Sequence, residues 1–219
     1  MIDIDHIYVI HYKPLVERKQ YLTNKFSELN ITNYTFYEEY SRDTTSEETM
    51  DKYYKYKSLH LNSVQKCITI AHIEVYKDIV KKQYKRCLIL EDDAILAYDF
   101  ANRLRLYNER LPYDFDIGSL NDGCGLHAQN INPSVIWYYV QSLRTCCAYI
   151  ISNDCCIKLL KTIIPFSEAI DWELNVQIQK HDLRVYWAEP TIVSDGSVFI
   201  YHPSYVNTSN NTGTPWAHG

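Results

Sequence analysis

The sequence lacks any long apolar run. No stretch of its 219 residues approaches the roughly 20 consecutive apolar residues of a membrane-spanning helix, so an integral membrane protein is not expected. The opening Met1-Ile-Asp-Ile-Asp-His6 has no basic segment and no cleavage-like site. No secretory signal is read there, and a cytoplasmic location is the expectation. A large charge of one sign is also missing: the formal net charge is −5, which excludes broad binding to a nucleic-acid backbone. An acidic protein still binds a nucleotide where a metal ion bridges the charges. The 7 cysteines are odd in number, partly adjacent (Cys146-Cys147, Cys155-Cys156) and never spaced as CxxC. That pattern excludes a disulfide framework and zinc ligation, and implies buried thiols in a reducing compartment. The sequons at Asn30, Asn33, Asn207 and Asn210 are read as accidents of composition. Internal repeats are absent. Glycine is sparse, with 6 residues, against 20 tyrosines, whose ring and hydroxyl suit half-buried groove walls as well as ordinary surface.

What is present is organised around Cys87-Leu-Ile-Leu-Glu-Asp-Asp-Ala-Ile-Leu96. The apolar run Cys87 to Leu90 is too short for a helix and reads as a strand buried on both faces, hence part of a covered, mostly parallel sheet. It breaks into Glu91, Asp92 and Asp93. Ligands of open α/β sheets bind beyond the carboxyl ends of strands, where this triplet falls. Adjacent carboxylates repel unless a cation or proton neutralises them, and oxygen ligands suit Mg²⁺ or Mn²⁺. A solvated acidic turn is the plain alternative.

Around this stretch the chain reads as β-α-β-loop-α-β. His6 to His11 is a first strand, and Pro14 opens a helix marked by Leu15, Leu22, Phe26 and Leu29. Tyr34 to Tyr40 is a second strand, and Ser41 to Asp51 a polar loop. Val64, Ile68, Ala71, Val75 and Ile79 draw one apolar stripe along a helix from about Asn62 to Gln83. Later elements are a helix over Tyr98 to Leu111 and a strand over Asp116 to Leu120, followed by the turn Asn121 to Gly125. Trp137 to Val140 reads as a hairpin arm, and Cys146 to Ile151 as a strand. A helix capped by Ser152 or Asn153 runs through Ile164 to Pro165. A helix opens at Asp171, and Leu183 to Trp187 is a late strand. From Ser194 the chain is polar, and Thr212 to Gly219 closes without a stop signal, as one domain of a longer protein would.

Several blocks, in order, resemble glycosyltransferase family 25, which includes lipooligosaccharide and collagen galactosyltransferases. They are Tyr8-Val-Ile-His-Tyr12 with Glu17-Arg18, then Gln65 to His72, Leu88-Ile-Leu-Glu-Asp-Asp-Ala94, Ala148-Tyr-Ile-Ile-Ser152 with Lys158-Leu-Leu160, Asp171-Trp172 and Glu189-Pro190. Gln65, Cys67 and Ala71 stand where the family's usual block has Glu, Gly and Ser, which marks a divergent member. The resemblance implies a GT-A type α/β fold within a single domain over 1–219. Residues to about 120 would form a Rossmann-like nucleotide-sugar and metal half, about 121–195 an acceptor-side half, and 196–219 a polar tail. It implies metal-dependent transfer of galactose or glucose from a UDP-sugar to a carbohydrate or glycoconjugate hydroxyl, with inversion. Mn²⁺ or Mg²⁺ would bridge the diphosphate, and a separate carboxylate would take the acceptor's proton.

Under that reading Asp93 and Glu91 are the metal ligands, completed near the C-terminus by His202 or His218. His11, Tyr12, Arg18 and Asp92 contact the nucleotide or sugar, and Asn121 and Asp122 bind donor hydroxyls. Asp171 ranks above Glu173 as base, although acids at a helix start are also explained by its dipole. Trp172 stacks on a sugar or packs in the core, and His72 is a core histidine or a substrate contact. Two other readings compete. One is a Mg²⁺ phosphohydrolase or nucleotidyltransferase that also uses Asp116 and Asp122. The other is a carbohydrate-binding relic that has lost turnover.

Overall fold

The structure is a computed structural model in which residues 4–55 and 61–196 are described. Strand β1 (His6–Ile10) leads through helix α1 (Val16–Glu28) to β2 (Tyr34–Tyr37), which lies parallel to β1. Helix α2 (Glu47–Asp51) precedes α3 (Ser63–Lys82), which delivers β3 (Arg86–Glu91) to the other side of β1, again parallel. Next come β4 (Ala94–Leu96), α4 (Phe100–Arg110), β5 (Ile117–Ser119) and a 3₁₀ turn at Gly123–Gly125. The last elements are β6 (Trp137–Val140), β7 (Ala148–Ser152), α5 (Asn153–Leu160), α6 (Ile170–His181), β8 (Val185–Ala188) and β9 (Val193–Asp195).

The strands form a seven-stranded sheet in the order β2-β1-β3-β7-β5-β8-β6, and β4 and β9 make a separate two-stranded ribbon. β1, β2, β3, β5 and β8 run one way, while β7 and β6 oppose their neighbours. The result is the mostly parallel α/β architecture expected from the sequence, with a wound β-α-β half. Strand alternation divides the core. Tyr8, Ile10, Cys87, Ile89, Tyr149 and Ile151 face one side, with α3, α5 and α6 over them. Ile7, Val9, Leu88, Leu90 and Ile150 face the other, with α1 and α4. A fully buried aliphatic side chain contributes about 1.5–3 kcal/mol, so the central strands anchor both layers.

Helix α3 has the expected boundaries for a physical reason. The Gln65 N–H donates to Asn62 Oδ1 at 2.9 Å and the Asn62 N–H to Gln65 Oε1 at 3.1 Å, a reciprocal cap on the first turn. Gln83, in the left-handed region at φ 57°, ends the helix.

Elsewhere the structure corrects the sequence reading. Pro14 lies in the turn before α1, which starts at Val16. β2 stops at Tyr37, and the polar loop contains α2, where the Thr49 N–H donates to Ser46 Oγ. Trp137–Val140 pairs antiparallel with β8 at the sheet edge, not with a sequence neighbour. The helix capped by Ser152 ends at Leu160, before Pro165. β4 and β9 cannot be read from the sequence, since three residues carry no readable period. All seven cysteines are free thiols, and Cys124 alone is exposed. Among the described residues no helix is long and apolar enough to cross a membrane.

Candidate active site

Glu91 ends β3, and Asp92 and Asp93 form the turn into β4. Two antiparallel pairings build the site there. β7 begins beside the end of β3, with Leu90 opposite Ala148 and the Glu91 N–H donating to the Cys147 carbonyl at 2.9 Å. Cys146 and Cys147 therefore sit beneath the acidic turn. β9 pairs with β4 so that Asp195 lies opposite Ala94, and the Gly196 N–H donates to the Asp93 carbonyl at 2.9 Å. Oxygens of Asp93 and Asp195 and the Cys147 sulfur all lie within 4.8 Å of one another.

The three adjacent acids do different things. Asp92 is buried and internally satisfied. Its Oδ2 accepts from His11 Nδ1 at 2.9 Å and from the Tyr12 N–H at 3.0 Å, and its Oδ1 accepts from the Arg18 guanidinium at 2.6 Å. Burial pushes its carboxyl up, but His11, Arg18 and the Tyr12 amide outweigh that and hold it below the usual range. His11, Tyr12 and Arg18, read from sequence as nucleotide contacts beside Asp92, thus converge on Asp92 itself. Arg18 Nε and its second terminal nitrogen are buried without a hydrogen bond among the described residues.

Glu91 is in the opposite state. Enclosure raises its carboxyl well above the usual range, and the charges of Asp93, Asp171, Asp195 and Asp92 raise it further. About a quarter of its side chain (27%) still meets solvent, so the crowding of like charge is the part that a ligand can relieve. His72, fully buried, places Nε2 3.3 Å from Glu91 Oε1 and Nδ1 2.8 Å from the Tyr149 hydroxyl. Burial lowers the imidazole to about 3, so it is neutral at physiological pH. His72 is therefore a satisfied core histidine.

Asp171 reaches the same end of the sheet from the first turn of α6. Its Oδ1 accepts the Cys146 N–H at 2.6 Å. Burial raises its carboxyl, the contacts with Cys146 oppose this, and Asp195 adds to the rise. Cys146 and Cys147 are pushed well up, first by burial and then by these carboxylates, which keeps both thiols protonated.

Glu173, the second candidate base, points the other way. It is 3% exposed, its Oε2 accepts from the Ser167 and Glu168 amides at 3.0 and 3.3 Å, and its Oε1 accepts from Gln177 at 2.8 Å. It ties down the segment before α6 and has no access to a substrate. Trp172 is 69% exposed, so the core-packing reading is wrong.

Asn121 is buried, accepting from Ser119 Oγ at 3.1 Å and donating to Thr145. Its carbonyl accepts from Arg144, whose buried ion pair with Glu189 secures the loop over Gly123–Ala128. Asp122 stays near the cluster, with Oδ1 3.4 Å from the Asp195 N–H. Asp116 lies at the opposite end of β5, bound to Lys158 at 2.7 Å and to the Arg184 N–H at 2.9 Å. It is remote from Asp93 and adds nothing to a second metal site. His202 and His218 lie outside the described residues. Asp195, which the sequence reading missed, had one signal: a carboxylate at the end of the short β-branched run Thr191 to Val193.

Oxygen donors from Asp93 and Asp195 with Glu91 at their side fit a small hard cation, whereas a protonated Cys147 does not favour a soft one. The acids crowd one end of the sheet, and a divalent ion would offset that repulsion.

Comparison with known proteins identifies the family. The family model described as Glycosyltransferase family 25 (LPS biosynthesis protein) matches residues 4–127, more than half of the chain. No curated protein sequence matches significantly. Among solved structures, A197 from STIV is similar at a TM-score of 0.43 and 12% identity, covering 85% of this chain and 81% of that one. A glycosyltransferase involved in glycosylation of the major capsid of PBCV-1 is similar at a TM-score of 0.38 and 9% identity, covering 72% of this chain and 62% of that one. The matched region contains the Asp92 latch and the acidic turn, and the chain belongs to glycosyltransferase family 25, whose chemistry is glycosyl transfer.

Proposed function

We propose that the protein moves a hexose, galactose or glucose, from a UDP-sugar to a hydroxyl of a glycan, lipid-linked glycan or glycoprotein, with inversion and with Mn²⁺ or Mg²⁺ bound. The observation that carries this reading is the convergence of Asp93 and Asp195 beside Glu91, with Asp171 arriving on a separate helix. Asp93, Asp195 and Glu91 would hold the cation, which would supply positive charge to the donor's diphosphate. Asp92 does not touch the ligand. Ionised by His11 and Arg18, it fixes the turn so that Asp93 faces Asp195. Asp122, beside Asp195, binds donor-sugar hydroxyls.

Asp171 is the base. The Cys146 amide anchors its Oδ1, and the carboxylate takes the acceptor hydroxyl's proton. Its raised carboxyl brings it closer to the working pH, as a general base requires. Inversion needs the base and the departing UDP on opposite faces of the sugar, and two separate elements supply the two functions. Trp172, exposed next to Asp171, offers a ring face to the acceptor. The phosphohydrolase reading counted on Asp116 and Asp122; Asp116 lies at the other end of the sheet, and Asp122 alone of the two is beside the cluster.

The test is UDP release from UDP-galactose and UDP-glucose, with and without Mn²⁺, by the intact protein and by Asp93→Ala. Mn²⁺-dependent release from one donor, lost in the variant, supports the proposal and names the sugar. Metal-independent release, or phosphate release without sugar transfer, overturns it.

A further inference from the structure

Three buried groups take no part in the reaction as described: His72, Tyr76 and Tyr149, each 0% exposed. They form a chain that ends on Glu91. The Tyr76 and Tyr149 hydroxyls are 2.7 Å apart, the Tyr149 hydroxyl is 2.8 Å from His72 Nδ1, and His72 Nε2 is 3.3 Å from Glu91 Oε1. α3 supplies Tyr76 and His72, four residues apart on one face. β7 supplies Tyr149, whose ring lies parallel to the imidazole with centroids 5.9 Å apart.

The hydrogen-bond inventory limits the chain to two directions, set by whether Glu91 carries a proton. A neutral imidazole has one donor and one acceptor. With Glu91 ionised, as a bound cation would leave it, the carboxylate only accepts: Nε2 then carries the N–H and donates to it, Nδ1 accepts from Tyr149, and Tyr149 accepts from Tyr76. Phenylalanine at both tyrosines and leucine at His72 would fill comparable space without burying polar groups, so core packing alone does not call for this set. What the chain supplies is one N–H held by two tyrosines and aimed at one carboxylate oxygen.

We infer that His72 is a positioning residue: the Tyr76-Tyr149-His72 chain holds one oxygen of Glu91 and thereby presents the other to a divalent cation. This rests on the reading that Glu91 helps to bind that cation. Ligating carboxylates need such outer partners, and losing one weakens metal binding by about 10- to 100-fold.

The experiment is a titration of the intact protein with Mn²⁺ alone, following free Mn²⁺ by electron paramagnetic resonance and thermal melting in parallel. His72→Leu is expected to weaken Mn²⁺ binding by about 10- to 100-fold. His72→Gln, whose amide can donate at the Nε2 position, should recover most of the loss. Tyr149→Phe removes only a hydroxyl and should weaken binding in the same direction, so the inference stays testable even if His72→Leu fails to fold. In a Glu91→Gln background the His72 and Tyr149 substitutions should have no further effect. Unchanged affinity in Tyr149→Phe and in any folded His72→Leu, with binding lost in Asp93→Ala, overturns this inference and leaves the metal site intact. Wild-type affinity in Asp93→Ala overturns the metal site itself, and this inference with it.

Discussion

At the scale of single residues, Glu91, Asp92 and Asp93 are adjacent in sequence and opposite in behaviour. Sequence showed that acids gather here but not how they divide. The partners that ionise Asp92 lie more than seventy positions away, at His11 and Arg18. Asp171 and Glu173 teach the same lesson. Two residues apart on a helix lie about 200° apart around its axis, so only one can face a given site. The sequence does not say which; the Cys146 amide and the Ser167 turn do. Asp171→Asn should therefore lower kcat by roughly 10²–10⁴-fold with donor binding retained, measured by steady-state kinetics and UDP titration. Glu91 supplies a prediction about pH. Its folded-state carboxyl is raised, so the folded metal-free protein binds more protons than the unfolded chain and loses stability as pH rises from the ordinary glutamate range through that raised value. Metal-free Glu91→Gln should melt higher than wild type at neutral pH, by about 2–4 °C per kcal/mol of relieved repulsion. The difference should vanish in acid, below the ordinary range.

Elements were legible where their period was long. The α3 stripe and its Asn62 cap could be read directly, and so could β3, because burial on both faces leaves an unbroken apolar run. The three-residue strands β4 and β9 could not, and they place Asp195. Nor could the reversal of β7, since an apolar strand reads alike in either direction. The Asp92 latch joins elements, tying the β1–α1 connection to the end of β3. Asp92→Asn would leave Arg18 buried without its charge partner and should cost about 3–5 kcal/mol in urea unfolding. Because the Asp92 carboxyl is held below its usual range, this contribution is present above the ordinary aspartate value and is lost as pH falls through the depressed one. Glu173→Ala, by contrast, should cost about 1–3 kcal/mol by freeing the Ser167 and Glu168 amides, with kcat of the folded protein unchanged.

For the whole molecule, the family was recognisable from the order of its blocks, and the mostly parallel sheet followed from the β-α-β pattern. The family match ends at residue 127, and Asp195, which no resembling block contains, is joined to Asp93 by geometry alone. A cation that binds the folded chain and not the unfolded one stabilises it. At a hundred times its dissociation constant Mn²⁺ should add about 2.7 kcal/mol, a rise of about 5–10 °C in melting temperature. Asp93→Ala should abolish the rise. On the function proposed above, Asp93 and Asp195, brought together across β4 and β9, would hold the cation that binds the donor's diphosphate. The most direct measurement is calorimetric titration of UDP into wild type and Asp195→Ala, each with Mn²⁺ and with chelator. Wild type should bind UDP with Mn²⁺, and binding should be lost both with chelator and in the variant. UDP binding that survives chelation, or that Asp195→Ala leaves intact, would contradict it.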